Sequence, residues 1–221
     1  MPGASTAIHL KPATDLAPRV LLPGDPHRAL AVAQALLEQP KMFNHHRGLW
    51  GYSGVGRDGE PLTIQATGMG GPSAAIVIEE LIALGADTFI RIGTCGALVP
   101  RLALGEVVRV DSALALDGAS RALGAERAVE PDPELAARID APGVTAASVD
   151  LFYDGPEPDG ADVVEMECAT LFQIGQLRGV RAAAVLGVSD TLAGGRTRIE
   201  PEQLEALGLA LGEAAWTALT R

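Results

Sequence analysis

Short apolar runs alternate with longer segments of helical period along this chain. The runs, rich in Val, Ile and Leu, predict strands at 19–22, 62–66, 88–92, 107–116, 163–166 and 182–188. Helices are predicted at 29–37, 74–84, 134–139, from 166 to 176, and at 201–219. Such alternation is typical of strands connected through helices. We therefore expect an α/β fold with three layers, α/β/α, in which helices flank a central mixed, twisted sheet.

Proline and glycine punctuate the chain evenly and form no linker. There are 26 Gly and 15 Pro, and neither an internal repeat nor a low-complexity tract interrupts the pattern. One domain over 1–221 is the prediction. Glycine-rich segments end the predicted strands, for example at 68–71 after strand 62–66 and at Gly93 after strand 88–92.

Composition excludes several classes of protein. The 221 residues are 48% hydrophobic and 20% charged, so the chain has enough apolar surface for a sizeable core. The net charge of −11 argues against a basic surface for nucleic acid. Cys95 and Cys168 have no CxxC partner, which indicates neither a zinc site nor a disulfide framework and favours a reduced, cytoplasmic setting. No uncharged apolar stretch of about 18 residues predicts a membrane span, and we expect no export signal.

Two strand ends carry groups suited to an anion, and ligands collect at such ends in open α/β sheets. In Pro23-Gly24-Asp25-Pro26-His27-Arg28, Gly24 allows backbone N–H groups to approach an anion and Arg28 follows one turn later. The alternative is a simple turn with a surface arginine. Arg91 lies inside an apolar strand, where its charge needs an anion or a carboxylate. Thr94 favours a bound oxyanion, and a structural ion pair is the alternative.

Two further junctions carry carboxylates. Glu165 and Glu167 share one face if the strand extends that far, an arrangement that suits a vicinal diol. A helix N-terminus that attracts negative charge is the alternative. Ser189-Asp190 follows strand 182–188, where the acid either exchanges a proton with a ligand or caps the next segment. The loop at 68–71 lacks the spacing of the GxGxxG dinucleotide fingerprint, so no dinucleotide cofactor is expected.

Together these segments resemble the nucleoside phosphorylase family, which includes bacterial purine nucleoside phosphorylase and uridine phosphorylase. The match runs over about 20–110 and again over 151–190. It is carried by Pro23-Gly24-Asp25-Pro26, Gly68-Met69-Gly70-Gly71-Pro72-Ser73, Arg91-Ile92-Gly93-Thr94-Cys95-Gly96-Ala97 and Val164-Glu165-Met166-Glu167. The resemblance implies that a nucleoside is split by inorganic phosphate into a free base and ribose 1-phosphate, as in purine salvage and nucleoside catabolism.

The resemblance also implies a role for each candidate residue. It assigns phosphate binding to Gly24, Arg28, Arg91 and Thr94, with Arg47 from a neighbouring subunit. It assigns ribose binding to Met69, Met166, Glu167 and Glu165, with His9 from the neighbour. It places the base on Phe152, with Ser189, Asp190 and Arg196 beside it and Asp190 as the catalytic acid. Such shared sites imply self-association, as dimers that gather into hexamers.

The sequence gives conflicting indications of the base, because the N-terminal half of the chain resembles uridine phosphorylase whereas the base-binding positions do not. Uridine phosphorylases carry a Gln and an Arg after the aromatic residue, and the stretch 154–158 has neither. Ser189-Asp190 matches the purine enzymes, whose aspartate protonates or hydrogen-bonds purine N7. Gly48 replaces an acidic residue that helps hold a monovalent cation in uridine phosphorylases. We therefore expect a purine substrate, no metal and no cofactor beyond phosphate as co-substrate.

Two departures from the family leave alternatives open. The chain is shorter than either subfamily between 120 and 144, and it is compressed over 154–162, near the base pocket. The arginine that supports proton transfer in the purine enzymes is matched only by Arg196 and Arg198, at a different spacing, and Arg196 is taken as the candidate. The alternatives are a uridine phosphorylase, a nucleosidase that uses water, and a nucleoside-binding protein without catalysis.

Overall fold

The computed structural model describes residues 7–153, 155 and 158–221. Within these residues the helices are α1 (Pro26–Leu36), α2 (Gly71–Ala83), α3 (Gly118–Ala122), α4 (Pro133–Ala137), α5 (Cys168–Arg178) and α6 (Pro201–Thr220). The strands are β1 (Arg19–Pro23), β2 (Leu37–Asn44), β3 (Gly51–Gly56), β4 (Pro61–Gln65), β5 (Thr88–Ala97), β6 (Val107–Ala115), β7 (Ala128–Val129), β8 (Gly143–Ser148), β9 (Val163–Glu165), β10 (Arg181–Thr191) and β11 (Thr197–Arg198). A 3₁₀ turn spans His46–Gly48.

These strands form one mixed sheet in which β5 is central. β5 pairs in parallel with β1 along its first half and with β10 along its whole length, while β1 also pairs in parallel with β4. The end of β5 pairs with β9, and the pairings β9–β8, β8–β6 and β6–β10 close a ring of five strands. Strands β4, β3 and β2 continue the sheet from β1 as an antiparallel wing. One end of the sheet is therefore closed and the other open.

Side chains of β5 alternate between two apolar layers. Phe89 packs with residues of α2 and α5, whereas Ile90 and Ile92 pack on the opposite face with residues of α1 and α6. This period of two places Arg91 on the same side as Phe89, toward α2 and α5. The predicted three-layer α/β/α fold with a mixed sheet is confirmed.

The structure corrects two predicted strand ends. β5 continues past Gly93 to Ala97, and β10 continues to Thr191, because each strand supplies the hydrogen-bonding partner of the other. The ladder thus outweighs the intrinsic tendency of glycine to end a strand. Asp190 lies inside β10, at a register shift between Val188 and Asp190, so the alternative that it caps the following helix is wrong. Glu200 occupies the N-cap of α6.

Sequence periodicity missed other elements, of which β2 is the clearest case. β2 is buried at Leu37, Phe43 and Asn44 and largely exposed between, so it shows no alternation of apolar and polar residues. Strands β3 and β8 and helix α3 were also missed. No helix in the described part of the chain is long and apolar enough to cross a membrane.

The contact between β10 and α6 gives a test of packing. A Cβ added at Gly187 would lie 2.6 Å from Leu207 Cδ2, inside the buried layer formed by α1 and α6. Gly187→Ala should lower the free energy of unfolding by about 1–3 kcal/mol, because a well-packed core resists added volume. Urea denaturation measures the change.

Gly118→Ala is the matched control. Its Cβ would lie 3.4 Å from the nearest atom, Asp150 Oδ2, at an ordinary contact distance in helix α3. We expect a change of less than about 0.5 kcal/mol there. Equal stability of the two variants would contradict the packing of α6 on β10.

Candidate active site

Gly24, Arg91, Thr94 and Asp190 lie on, or directly after, strands whose carboxyl ends share one edge of the sheet. β1, β4, β5 and β10 are linked by parallel pairings, so their carboxyl ends lie on the same side. The loops after β1 and β4 are joined by hydrogen bonds from Thr67 N to Pro23 O, 2.9 Å, and from Gly68 N to Gly24 O, 3.1 Å. This edge is the candidate active site.

Arg28 is directed toward β5 by the start of helix α1. Asp25 caps that helix by accepting from Arg28 N at 2.8 Å, and Pro26 occupies its first position. The side chain of Arg28 donates from Nη1 to Ile92 O, 3.2 Å away. Burial lowers the pKa of Arg28, the positive charge of Arg91 lowers it further, and Asp25 opposes the shift. Two arginines therefore place positive charge at the same strand ends.

Arg91 is buried and faces two carboxylates. Its Nη2 contacts Glu167 Oε2, and its Nε lies 3.3 Å from Glu165 Oε2. Gly93 makes room for the guanidinium, since a Cβ there would lie 2.6 Å from Arg91 Nη2. Burial tends to lower the pKa of Arg91, but Glu167 and Glu165 outweigh it and raise the pKa. The structural ion pair that the sequence left open is present.

Glu165 is committed to contacts within the protein. Its fully buried carboxylate accepts from Ser148 Oγ and from the amides of Glu167, 2.8 Å, and Cys168, 3.0 Å. It ends β9 and satisfies the first amides of α5, as expected for the helix N-terminus alternative. Its contact with a ribose stays a prediction, and the present contacts favour a role in holding Arg91.

Glu167 connects the loop after β4 to Arg91. Its Oε1 accepts from Gly70 N at 2.5 Å, while its Oε2 contacts Arg91. Burial raises the pKa of Glu167, the Arg91 charge opposes this, and the neighbouring Glu165 adds to it. Gly70 holds a φ of 85°, a conformation that glycine adopts without strain. Met69, next to Gly70, is 84% exposed, and Met166 is partly exposed.

The predicted base residues form a second cluster. Arg196 lies over the ring of Phe152, with its Cζ 4.6 Å from the ring centroid, and its Nε lies 4.0 Å from Asp190 Oδ1. Ser189 Oγ donates to Asp190 Oδ2 at 2.8 Å. Asp190 Oδ1 is buried and has no hydrogen-bond partner in the described residues. The prediction that the stretch 154–158 lacks the Gln and Arg of uridine phosphorylases falls partly on Asp154, Pro156 and Glu157, which lie outside the described residues.

The remaining candidates lie on three separate elements. Thr94 lies on β5, three residues after Arg91, and is partly exposed. His9 Nδ1 lies 2.7 Å from Glu80 Oε1 on α2, and the same carboxylate accepts from the amides of Ile8, His9 and Leu10. Arg47 is exposed, with a φ of 59° in the turn between β2 and β3. Within the described residues the side chain of Arg47 makes no hydrogen bond or ion pair.

Sequence reasoning missed the residues that hold these groups. Glu80 fixes the segment that carries His9, Ser148 fixes Glu165, and the amide of Gly70 fixes Glu167. Glu80 and Ser148 carry no local signal, because their partners are distant in the chain. Gly70 could have been found, since closely spaced glycines after a strand indicate backbone amides turned toward a ligand or a side chain.

Comparison with known proteins identifies the family of this chain. The family model described as "Phosphorylase superfamily" matches residues 18–215. The chain belongs to that superfamily. It is 36% identical over 219 residues to the purine nucleoside phosphorylase DeoD-type of Geobacillus kaustophilus, covering 90% of this chain and 92% of the relative. The resemblance to nucleoside phosphorylases is confirmed.

Other relatives include both subfamilies. The chain is 36% identical to the DeoD-type purine nucleoside phosphorylase of Caldanaerobacter subterraneus, over 86% of this chain and 89% of the relative. It is 35% identical to the uridine phosphorylase of Thermococcus kodakarensis, over 84% of this chain and 77% of the relative. Both kinds of phosphorylase are pentosyltransferases, which agrees with the enzyme class predicted from the sequence.

The anchoring of His9 predicts a pH-dependent contribution to stability. Burial tends to raise the pKa of Glu80, but hydrogen bonds from the amides of Leu10 and His9 outweigh it and lower the pKa. A lowered folded-state pKa stabilises the fold above the unfolded value of about 4.3, and that stability is lost as the pH falls through the folded value. Glu80→Gln should therefore be less stable than the parent at pH 7, with a difference that shrinks below about pH 4.

Urea denaturation at a series of pH values measures this difference. Glu60→Gln, at an exposed turn residue, is the control and should leave stability unchanged between pH 4 and 7. A Glu80→Gln deficit that stays constant through the acid range would contradict the ionic anchoring of the 8–10 segment.

Proposed function

We propose that this protein catalyses phosphorolysis of a purine nucleoside, giving the free purine base and ribose or deoxyribose 1-phosphate. One observation carries the choice of base: Asp190 Oδ1, beside Arg196 and Phe152, is buried and has no hydrogen-bond partner among the described residues. A buried acceptor without a partner costs free energy unless a ligand satisfies it. The several relatives named as purine nucleoside phosphorylases support the same choice.

Phosphate binds between the two arginines and the backbone of the loop after β1. Arg28 and Arg91 supply positive charge, Gly24 offers its amide, and Thr94 offers a hydroxyl from β5. Arg47, exposed and free of internal ion pairs in the described residues, reaches the phosphate site of a neighbouring subunit. Arginine suits this task because its fork of N–H groups matches two phosphate oxygens.

The sugar binds beside the phosphate, held by Glu167 and by the exposed Met69 and Met166. When phosphate draws Arg91 toward itself, the Glu167 oxygen that pairs with Arg91 becomes available to ribose hydroxyls. A phosphate oxygen forms a bond to C1′ as the bond from C1′ to the base nitrogen breaks. His9 from the neighbouring subunit completes the sugar site.

The base leaves with help from Asp190. The purine stacks on Phe152, and its N7 takes or shares the proton of Asp190, so the electrons of the breaking bond are accommodated in the base. Arg196 lies within reach of Asp190 Oδ1 and steadies the carboxylate that this transfer leaves. Ser189 orients the carboxyl group through its contact with Oδ2.

We further propose that the enzyme works in the cytoplasm without metal or cofactor and assembles as a dimer-based hexamer. The assembly follows from sites shared through His9 and Arg47. An active monomer at assay concentrations would contradict this arrangement.

Release of hypoxanthine from inosine tests the reaction. We expect release that depends on phosphate and forms ribose 1-phosphate in equal amount. A panel of inosine, adenosine, guanosine, uridine and thymidine measures the choice of base. Equal rates with and without phosphate would indicate a nucleosidase, and turnover of uridine alone would indicate a uridine phosphorylase, as the Thermococcus kodakarensis relative is named.

The variant Asp190→Asn tests the acid. We expect a fall in kcat for inosine of about 10²–10⁴-fold with little change in KM, because the amide has no proton to transfer. Asp140→Asn, at an exposed position, is the control and should retain the parent kcat. Full activity of Asp190→Asn would contradict the acid role, and a parent that binds inosine without turnover would indicate a nucleoside-binding protein.

A further inference from the structure

Two buried amide side chains hold the turn that carries Arg47. Asn44 ends β2 and Gln65 ends β4, and both lie opposite Gly51 in the register of the sheet. Asn44 Nδ2 donates to Leu49 O at 2.5 Å and to His46 O at 3.3 Å, and Gln65 Nε2 donates to Leu49 O at 3.0 Å. Asn44 and Gln65 therefore bind backbone carbonyls that precede and follow Arg47 in the turn. We call this pair the amide clamp.

Glycine between the two amides makes the clamp possible. A Cβ at Gly51 would lie 2.0 Å from Gln65 Oε1, so any side chain there would displace Gln65. Both clamp residues are fully buried, and Gln65 Oε1 has no partner in the described residues. The amide nitrogen of Gln65 also donates to Ala66 O at 2.8 Å. A glutamine that binds backbone carbonyls with its nitrogen while its buried oxygen stays without a partner in the described residues is costly as a packing residue.

The turn has a strained backbone at Arg47, and the Arg47 side chain is exposed to solvent. Arg47 adopts a φ of 59° and a ψ of 20°, a conformation that residues other than glycine rarely adopt. Its side chain is exposed, and among the described residues it contributes no ion pair that would explain the strain. The clamp thus maintains a conformation that no contact of the Arg47 side chain with the described residues explains.

The same clamp also reaches the segment that carries His9. Asn44 Oδ1 accepts from Lys11 N at 2.9 Å, two residues after His9. Glu80 fixes the segment on its other side, through the amides of Ile8, His9 and Leu10. One buried side chain, Asn44, consequently ties the His9 segment to the Arg47 turn.

We propose that Asn44 and Gln65 are positioning residues that hold Arg47, and through Asn44 also His9, in the geometry required by the site of a neighbouring subunit. This inference rests on the proposed function, in which both residues act across a subunit interface. The clamp acts only through Arg47 and His9 and touches no substrate.

Three variants separate the contacts of the clamp. Gln65→Met keeps the length and approximate volume of the side chain, so it should fold. It removes the oxygen that has no partner in the described residues and loses the hydrogen bonds to Leu49 O and Ala66 O. Asn44→Asp keeps the acceptor for Lys11 N but loses the donor to the turn. For each we expect a KM for phosphate raised by about tenfold, with kcat within about threefold of the parent. Asn44→Ala, which also releases Lys11, should raise the KM for inosine as well.

A double-mutant cycle with Arg47→Ala distinguishes positioning from general support. If the clamp acts through Arg47, Gln65→Met should change the phosphate KM by less than about twofold in the Arg47→Ala background. Lys41→Ala, exposed on β2, is the control and should match the parent. Size-exclusion chromatography confirms that each variant keeps the parent's assembly.

The outcomes separate this inference from the proposed function. A parent without phosphate-dependent cleavage contradicts the proposed function and the inference with it. A parent that shows this activity, combined with a Gln65→Met variant whose phosphate KM is unchanged, contradicts the clamp alone. Equal effects of Gln65→Met on the phosphate KM with and without the Arg47 side chain also contradict the clamp. Additive effects would mean that Gln65 acts independently of Arg47.

Discussion

The buried charge of Arg91 is the constraint on which the candidate site depends. A guanidinium in the middle of an apolar strand is tolerated only when anions surround it. Glu165 and Glu167 supply them, and each of these carboxylates is held by other groups, Ser148 and the start of α5 for one and the Gly70 amide for the other. The loop after β4, the end of β9 and the first turn of α5 are thereby fixed around one cation.

That arrangement also relates the two proposed substrates. Arg91 and Glu167 neutralise each other in this structure, yet in the proposed reaction one binds phosphate and the other binds ribose. In that proposal phosphate competes with Glu167 for the arginine, and a sugar hydroxyl replaces the arginine on the glutamate. Arg28 forms no salt bridge with a carboxylate among the described residues and donates to the backbone at Ile92 O. Its guanidinium is therefore available to pair with an added anion.

Much of the fold and of the candidate site was predictable because the signals are local. Apolar runs at 88–92 and 182–188 identified the central strands, and the motifs around Gly24, Arg91 and Glu167 identified the strand ends that carry chemistry. Strand ends were less predictable, since β5 passes through Gly93 and Gly96 on the strength of its pairing with β10. The contacts of the anchors Glu80, Asn44 and Gln65 were not predictable, because each binds backbone that only the tertiary fold brings to it: Leu10, Lys11 and Leu49, respectively.

The sequence by itself determined the α/β class, the family and the residue types gathered at the strand ends, because periodicity and short motifs express local physical requirements. Only the tertiary structure decided which of those residues contact one another and which, among the described residues, keep a polar group free for a ligand. It showed that Arg91 pairs with both glutamates and that buried amides bind the backbone of the Arg47 turn. It also showed that Asp190 lies within a strand, with one oxygen that accepts no hydrogen bond from the part of the chain that the structure describes. These facts depend on distances between residues far apart in the chain, which pattern and composition do not encode.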